Sequence, residues 1–205
     1  FTVMGLQIYH FPLTGVEVES DYCKIGGDRA IGTGPVGQGN VSSGNGLYGI
    51  RVGGHYGVVS GNMTGVDVTG QKAMPNFDGI FVSDWAFHVT VGGIKPGEGN
   101  VISGNKSINI DSWGDHTRII GNLIGVDITG TKAISQDTAT DIVLESGVTN
   151  NVVGGTTPEE RNIISGARCG FVFSDPNSYQ CSVIGNYIGT DITGTKAIPN
   201  GSAGG

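Results

Sequence analysis

The chain has 205 residues, among them 38 Gly, with a hydrophobic fraction of 37% and a formal net charge of −7. That apolar content is too high for a disordered tail, and the glycines follow no three-residue period, which excludes a collagen-like helix. With only 11 Lys and Arg there is no basic patch to release counterions from a phosphate backbone, so nucleic acid is not an expected partner. An anionic polysaccharide would also be repelled overall, unless a local cluster or a bound cation reversed the sign.

No run of residues reaches the ~20 apolar positions of a membrane span. The chain begins at Phe1, with no Met and no signal-peptide core, and reads as a processed product or a fragment. Cys23, Cys169 and Cys181 match no zinc spacing. A Cys169–Cys181 disulfide and three small core hydrophobes are the two readings of these cysteines, and the second is preferred.

In chain order, an apolar alternation followed by a polar turn and a second alternation appears six times. The segments are GVEVESDYCKI from Gly15, GIRVGGHYGVV from Gly49, GIFVSDWAFHVTV from Gly79, INIDSWGDHTRII from Ile108, DIVLESGVTNNVV from Asp141 and GFVFSDPNSYQCSVI from Gly170. A longer period lies over these. GNMTGVDVTGQKAMPN, GNLIGVDITGTKAIS and GNYIGTDITGTKAIPN begin at Gly61, Gly121 and Gly185, spaced 60 and 64 residues apart. The double glycines ending at Gly27, Gly93 and Gly155 keep nearly the same spacing, as do the GNVSSGN, GNVISGN and RNIISGA segments from Gly39, Gly99 and Arg161.

A period of about sixty residues holding two coils predicts an all-β, right-handed, single-stranded parallel β-helix. It has about six coils of ~30 residues and three short strands per coil. Residues 1–205 then form one domain, with two-coil repeats near 15–76, 77–139 and 140–200. Alternation places Val16 and Val18, Ile50 and Val52, Ile80 and Val82, Ile108 and Ile110, Ile142 and Leu144, and Phe171 and Phe173 on the inward face. Strands this short cannot bury that face alone, so the coils must stack. Asn40, Asn62, Asn100, Asn122, Asn162 and Asn186 recur at matched corners, where they tolerate left-handed backbone and can hydrogen-bond along the axis. The chain opens in mid-coil and shows no capping helix, so a segment of a longer array is expected, with end-to-end self-association through unpaired edges.

At GNYIGTDITGTKAIPN and at VVGGTTPEERNIISG from Val152, the sequence resembles the repeat units of large secreted bacterial and archaeal β-helix proteins, and more broadly the pectate-lyase-like superfamily. The resemblance covers nearly the whole chain. It implies an extracellular or cell-surface location and an encounter with glycans or other surface material, in an adhesin, a surface-layer protein or a carbohydrate-active enzyme. The Asn-Thr-Asp and Arg-Ile-Lys motifs of polygalacturonase-like enzymes are absent, although Gly114-Asp115-His116 is loosely similar to their Gly-His-Gly turn.

Chemistry is expected where the first strand of each coil meets its turn: Glu19-Ser20, Gly53-Gly54, Ser83-Asp84, Asp111-Ser112, Glu145-Ser146 and Ser174-Asp175. Asp84, Asp111 and Glu145 fall on three consecutive coils, so a strand spacing of ~4.8 Å would set neighbours about 5 Å and next neighbours about 10 Å apart. Those distances bracket the carboxylate separations of retaining and inverting glycosidases. Trp85, His88, Trp113, Asp115 and His116 lie nearby as candidate ligand-binding residues, since aromatic faces beside carboxylates suit a sugar. Turn positions also favour Asp and Ser without any catalysis. Asp67, Asp127 and Asp191 in the DxTG loops read as turn carboxylates. Calcium is their alternative ligand, and no other cofactor is implied. The functional expectation is a surface or adhesin-type stalk with a glycan-binding face; the rival is a polysaccharide-degrading hydrolase or lyase using the three acids.

Overall fold

The computed structural model describes residues 1–134, 139–145 and 147–201. Ser146, paired above with Glu145, lies outside them, as do residues 202–205. The first coil is β1 (Thr2–Val3), β2 (Gln7–Tyr9) and β3 (Val16–Val18), and the second β4 (Lys24–Gly26), β5 (Val41–Ser43) and β6 (Tyr48–Val52). The third is β7 (Val58–Ser60), β8 (Met63–Thr64) and β9 (Asp78–Val82); the fourth is β10 (Thr90–Gly92), β11 (Val101–Ile102) and β12 (Ile108–Ser112). The fifth is β13 (Arg118–Ile120), β14 (Leu123–Ile124) and β15 (Thr140–Leu144); the sixth is β16 (Val152–Gly154), β17 (Ile163–Ile164) and β18 (Cys169–Phe173). A further turn begins with β19 (Ser182–Ile184) and β20 (Tyr187–Ile188).

Every third strand pairs in parallel with its counterpart one coil away, which gives three sheets of seven, seven and six strands. Sheet 1 runs from β1 to β19, sheet 2 from β2 to β20 and sheet 3 from β3 to β18. The expected all-β parallel solenoid is therefore the fold. Its core is a set of stacked ranks. Ile25, Val59, Val91, Ile119 and Val153 stack in sheet 1, and Ile50, Ile80, Ile110 and Ile142 in sheet 3, all essentially inaccessible. Each such side chain contributes roughly 1.5–3 kcal/mol by leaving water.

Two of the inward pairs differ from expectation. In β12 the register sets Ile110 against Ile80 and Ser112 against Val82, so the inward pair is Ile110 and Ser112, with Ile108 only half-buried. A slip of two residues preserves the inward parity, so alternation alone does not reveal it. Phe173 is 46% exposed, because β18 is the last strand of sheet 3 and no further coil covers it among the described residues.

The recurring asparagines form a continuous ladder at the corner between sheets 1 and 2. From Asn40 through Asn62, Asn100, Asn122 and Asn162 to Asn186, each Nδ2 donates to the next Oδ1 at 2.8–3.1 Å. Each backbone N–H of the first five donates to the same oxygen. A second ladder passes from Asn45 through Asn76 and Asn105 to Asn109 and ends on the buried carboxyl of Asp141. Gly61, with φ +64°, needs both the left-handed backbone and the missing side chain, since a Cβ there would lie 1.7 Å from the Gly27 carbonyl oxygen.

The sixty-residue period has a structural cause. The DxTG loop after β8 reaches past the intervening coil, so that Ile128 N–H donates to Gly70 O at 2.9 Å, and Ile192 N–H repeats this bond to Gly130 O. Beneath the loops, Met63, Val66, Val101 and Ile134 make a second apolar layer on the outside of sheet 2. Asp67, Asp127 and Asp191 each accept their own loop's Thr hydroxyl and two backbone N–H groups, as turn carboxylates do. All three cysteines are free thiols: Cys23 is buried in the core, Cys181 packs against it and Cys169 opens β18.

Candidate functional site

The outward positions of sheet 3 form a rank of their own. Glu17, Arg51, Phe81, Asp111, Val143 and Val172 lie in register across six coils, each between the two inward residues of its strand. The following rank is defined by backbone bonds to the preceding coil, in which Gly53 donates to Val18 O, Ser83 to Val52 O, Trp113 to Val82 O and Glu145 to Ser112 O. The residue level with Ser83 and Glu145 is therefore Trp113. Asp111 sits two residues earlier, on the face of the sheet, so the three acids do not stack as one column. The two-residue slip of β12 displaces Asp111, and Asp84 stands one position past Ser83.

The structure nevertheless brings two of the acids and both tryptophans together. Asp84, Trp85, Asp111 and Trp113 line a groove of about 470 Å³ with Glu17, Tyr48, Arg51 and Phe81, together with Leu13, Thr14 and Leu47. Trp85 and Trp113 are 52% and 39% exposed, whereas Asp111 is only 8% exposed on the floor. Tyr48 stacks on Phe81 with ring centroids 4.6 Å apart and planes 10° from parallel, and Trp113 lies 6.5 Å beyond Phe81. Successive coils thus carry a run of aromatic rings along the solenoid axis, in which Tyr48 and Phe81 face one another and Trp85 and Trp113 are the exposed rings.

The polar groups of the groove are tied to these rings. Trp113 Nε1 donates to Asp111 Oδ1 at 3.0 Å, and Trp85 Nε1 donates to Glu19 Oε2 at 2.8 Å. The Arg51 guanidinium lies 5.1 Å from the Trp85 ring centre and 5.9 Å from that of Phe81, pairs with Glu17, and meets Glu19 Oε1 at 2.7 Å. Burial pushes the Asp111 carboxyl up to about 7; the Trp113 bond opposes the shift, while the charges of Glu145 and Asp78 add to it. Burial likewise raises the Tyr48 hydroxyl, with Asp78 and Asp111 adding to the effect. Near neutral pH the groove floor therefore carries a carboxyl able to give or take a proton.

Glu145 lies beyond the groove lining, where it accepts a hydrogen bond from Ser174 Oγ. His88, Asp115 and His116 are at another place, the corner where sheet 3 turns into sheet 1. His88 and His116 belong to a column that begins with Tyr22 and Tyr56, all four with φ between 53° and 57°. Their rings follow one another at 5.1, 5.2 and 4.7 Å. Each residue's N–H donates to the next coil, His88 to Asp115 O and His116 to Thr149 O. Asp115 Oδ1 accepts the Thr149 N–H at 2.6 Å. These three residues build a corner and do not line the groove.

Sequence reasoning missed Tyr48, Arg51, Phe81 and Glu17, and named Glu19 only as a residue following a first strand. The available signal was the middle residue of each I-x-V strand, where the outward positions Glu17, Arg51, Phe81 and Asp111 recur across four coils. Among the described residues, no group of three or more His, Cys, Asp or Glu side chains is placed to hold a metal ion, and no helix is long and apolar enough to cross a membrane. Fold and groove together define a parallel β-solenoid with an aromatic, acid-lined cleft on one sheet. Comparison with protein-family models, curated proteins and solved structures gives no match to this chain.

Proposed function

We propose that this chain is part of an extracellular, adhesin-type surface β-helix, of the pectate-lyase-like kind its repeats resemble, and that the groove on sheet 3 binds a glycan. The observation that carries the reading is the groove itself. Flat aromatic faces beside carboxyl and guanidinium groups suit the apolar face and hydroxyl edge of a pyranose. The two exposed rings, Trp85 and Trp113, come from adjacent coils, so they suit neighbouring units of a sugar chain. The side-chain ladders tie coil to coil, and such a rod would serve as a stalk.

Both tryptophans of the chain line the groove, so their fluorescence reports directly on occupancy. Titration with a panel of neutral, acidic and amino oligosaccharides should give a saturable change with at least one of them. Trp85→Ala and Trp113→Ala should each weaken that binding about ten-fold, or roughly 1.4 kcal/mol. A panel without any response overturns glycan binding.

A second reading, cleavage of a polysaccharide, is favoured by one observation: Asp111, raised to about 7, shares the groove with a second carboxyl, Asp84. A protonated acid beside another carboxyl is the pairing that glycosidic hydrolysis uses. A reducing-end assay tests it. Release of sugar ends that Asp111→Asn abolishes would establish an enzyme, and an unaltered rate in that variant would remove Asp111 from the chemistry.

A further inference from the structure

The charges around the groove point to one class of saccharide. Three carboxyl residues, Glu17, Asp84 and Asp111, line it, against one cationic residue, Arg51. Arg51 is already engaged. Its Nη1 meets both Glu17 and Glu19, and its planar group lies over the rings of Trp85 and Phe81. Two carboxylates on one guanidinium give that cluster a net negative charge, which opposes an incoming carboxylate. A uronate chain would therefore bring its negative charges against Asp84 and against an Arg51 already shared by Glu17 and Glu19, on a chain whose net charge is already −7.

The same arrangement is complementary to positive charge. Asp84 is exposed and lines the groove, and Trp113, 39% exposed, offers an aromatic face beside Asp111. Aromatic faces attract cations, and Arg51 over Trp85 shows this groove already holding one in that way. We infer that the groove selects saccharide chains bearing free ammonium groups, polymers of unacetylated amino sugars, over neutral chains and against uronates. This rests on the glycan-binding reading of the same groove. Rings of the polymer would stack on the exposed Trp113 while their ammonium groups reach Asp84.

The test uses the full chain at mildly acidic pH, followed by tryptophan fluorescence and calorimetry. The probes are a glucosamine hexamer, its fully N-acetylated counterpart, a galacturonate hexamer and oligolysine. The expected result is binding of the glucosamine hexamer about ten-fold or more tighter than the acetylated one, a gap of roughly 1.4 kcal/mol. That gap should shrink as salt is raised, because the added interaction is between charges. Asp84→Asn, an exposed change, should lower affinity for the glucosamine hexamer about five-fold more than for the acetylated hexamer.

Equal affinity for acetylated and free-amine hexamers, or a preference for galacturonate, overturns the charge selectivity and leaves glycan binding standing. Oligolysine binding as tightly as the glucosamine hexamer, with the same tryptophan response, overturns the choice of a saccharide as the cation carrier. Silence from every saccharide removes the glycan-binding reading and this inference with it.

Discussion

Trp113 donates its indole N–H to Asp111 Oδ1 at 3.0 Å, so an exposed aromatic wall of the groove also orients the buried carboxyl on its floor. The two residues lie two apart at the end of β12, where the chain leaves the sheet face for the turn. Four predictions follow from contacts of this kind.

Asp111 should make stability depend on pH. Its folded-state carboxyl is raised to about 7, so between an unfolded value of ~3.9 and about 7 the folded chain holds more protons than the unfolded one. Stability from this group is therefore fully present at acidic pH and lost as pH rises through that window. Asp111→Asn cannot ionise and keeps an oxygen for Trp113. Above about pH 8 it should be more stable than the parent by on the order of 3 kcal/mol, and the gap should close below about pH 4. Urea unfolding across pH measures this, and a gap that does not change with pH would contradict it.

Asp141 should behave in the same direction for a different reason. It is fully buried at the end of the second amide ladder, accepts Asn109 Nδ2 at 2.8 Å through Oδ1, and its Oδ2 finds no hydrogen-bond partner among the described residues. Burial pushes its carboxyl well above the ordinary range, partly countered by the Asn109 bond. Asp141→Asn should flatten the loss of stability toward alkaline pH. Asp141→Ala, which strands the Asn109 amide, should cost about 1–3 kcal/mol even at acidic pH. Thermal melts of the two variants at acidic and alkaline pH separate these effects.

Asn100 sits in the middle of the first ladder. It accepts from the backbone and side-chain amides of Asn62, and donates to Asn122 Oδ1 and Val59 O. Asn100→Ala leaves several buried groups on neighbouring coils without partners, each costing about 1–3 kcal/mol. A loss of about 3 kcal/mol or more is expected in urea unfolding; a loss under ~1 kcal/mol would mean that the ladder is incidental to stability.

Gly61 and Gly147 both have left-handed backbone, at φ +64° and +71°, yet only Gly61 is crowded. A Cβ at Gly147 meets nothing within 4 Å among the described residues. Gly147→Ala should therefore show only the conformational penalty of about 1–2 kcal/mol, whereas Gly61→Ala must also push the Gly27 carbonyl aside and should prevent normal folding. Comparable melting temperatures for the two variants would contradict the close approach of coils at Gly61.

Much of the groove's chemistry was legible in the residues and not in its assembly. Trp85 and Trp113 stood out because both tryptophans of the chain fall in the same turn region of adjacent coils, and both line the groove. His88 and His116 stood beside them in sequence, but the left-handed corner carries them around onto the next sheet, into the column with Tyr22 and Tyr56. Arg51 and Phe81 were hidden because each looks like an ordinary solvent-facing strand residue until the register sets one against the other.

By itself the amino-acid order determined the coil length, the inward ranks of Ile and Val, and the asparagine ladder. All three recur from coil to coil, and recurrence at about the period of a strand or a coil is visible along one dimension. Only the tertiary structure decided that Asp111 faces outward beside Phe81 while Trp113 takes the level of Ser83 and Glu145. Sliding a strand by two residues leaves the same parity inside, so hydrophobic alternation is blind to it, and the parallel backbone bonds between coils select the register. The same bonds bring Glu17, Arg51, Phe81 and Asp111, some thirty residues apart in the chain, onto one surface.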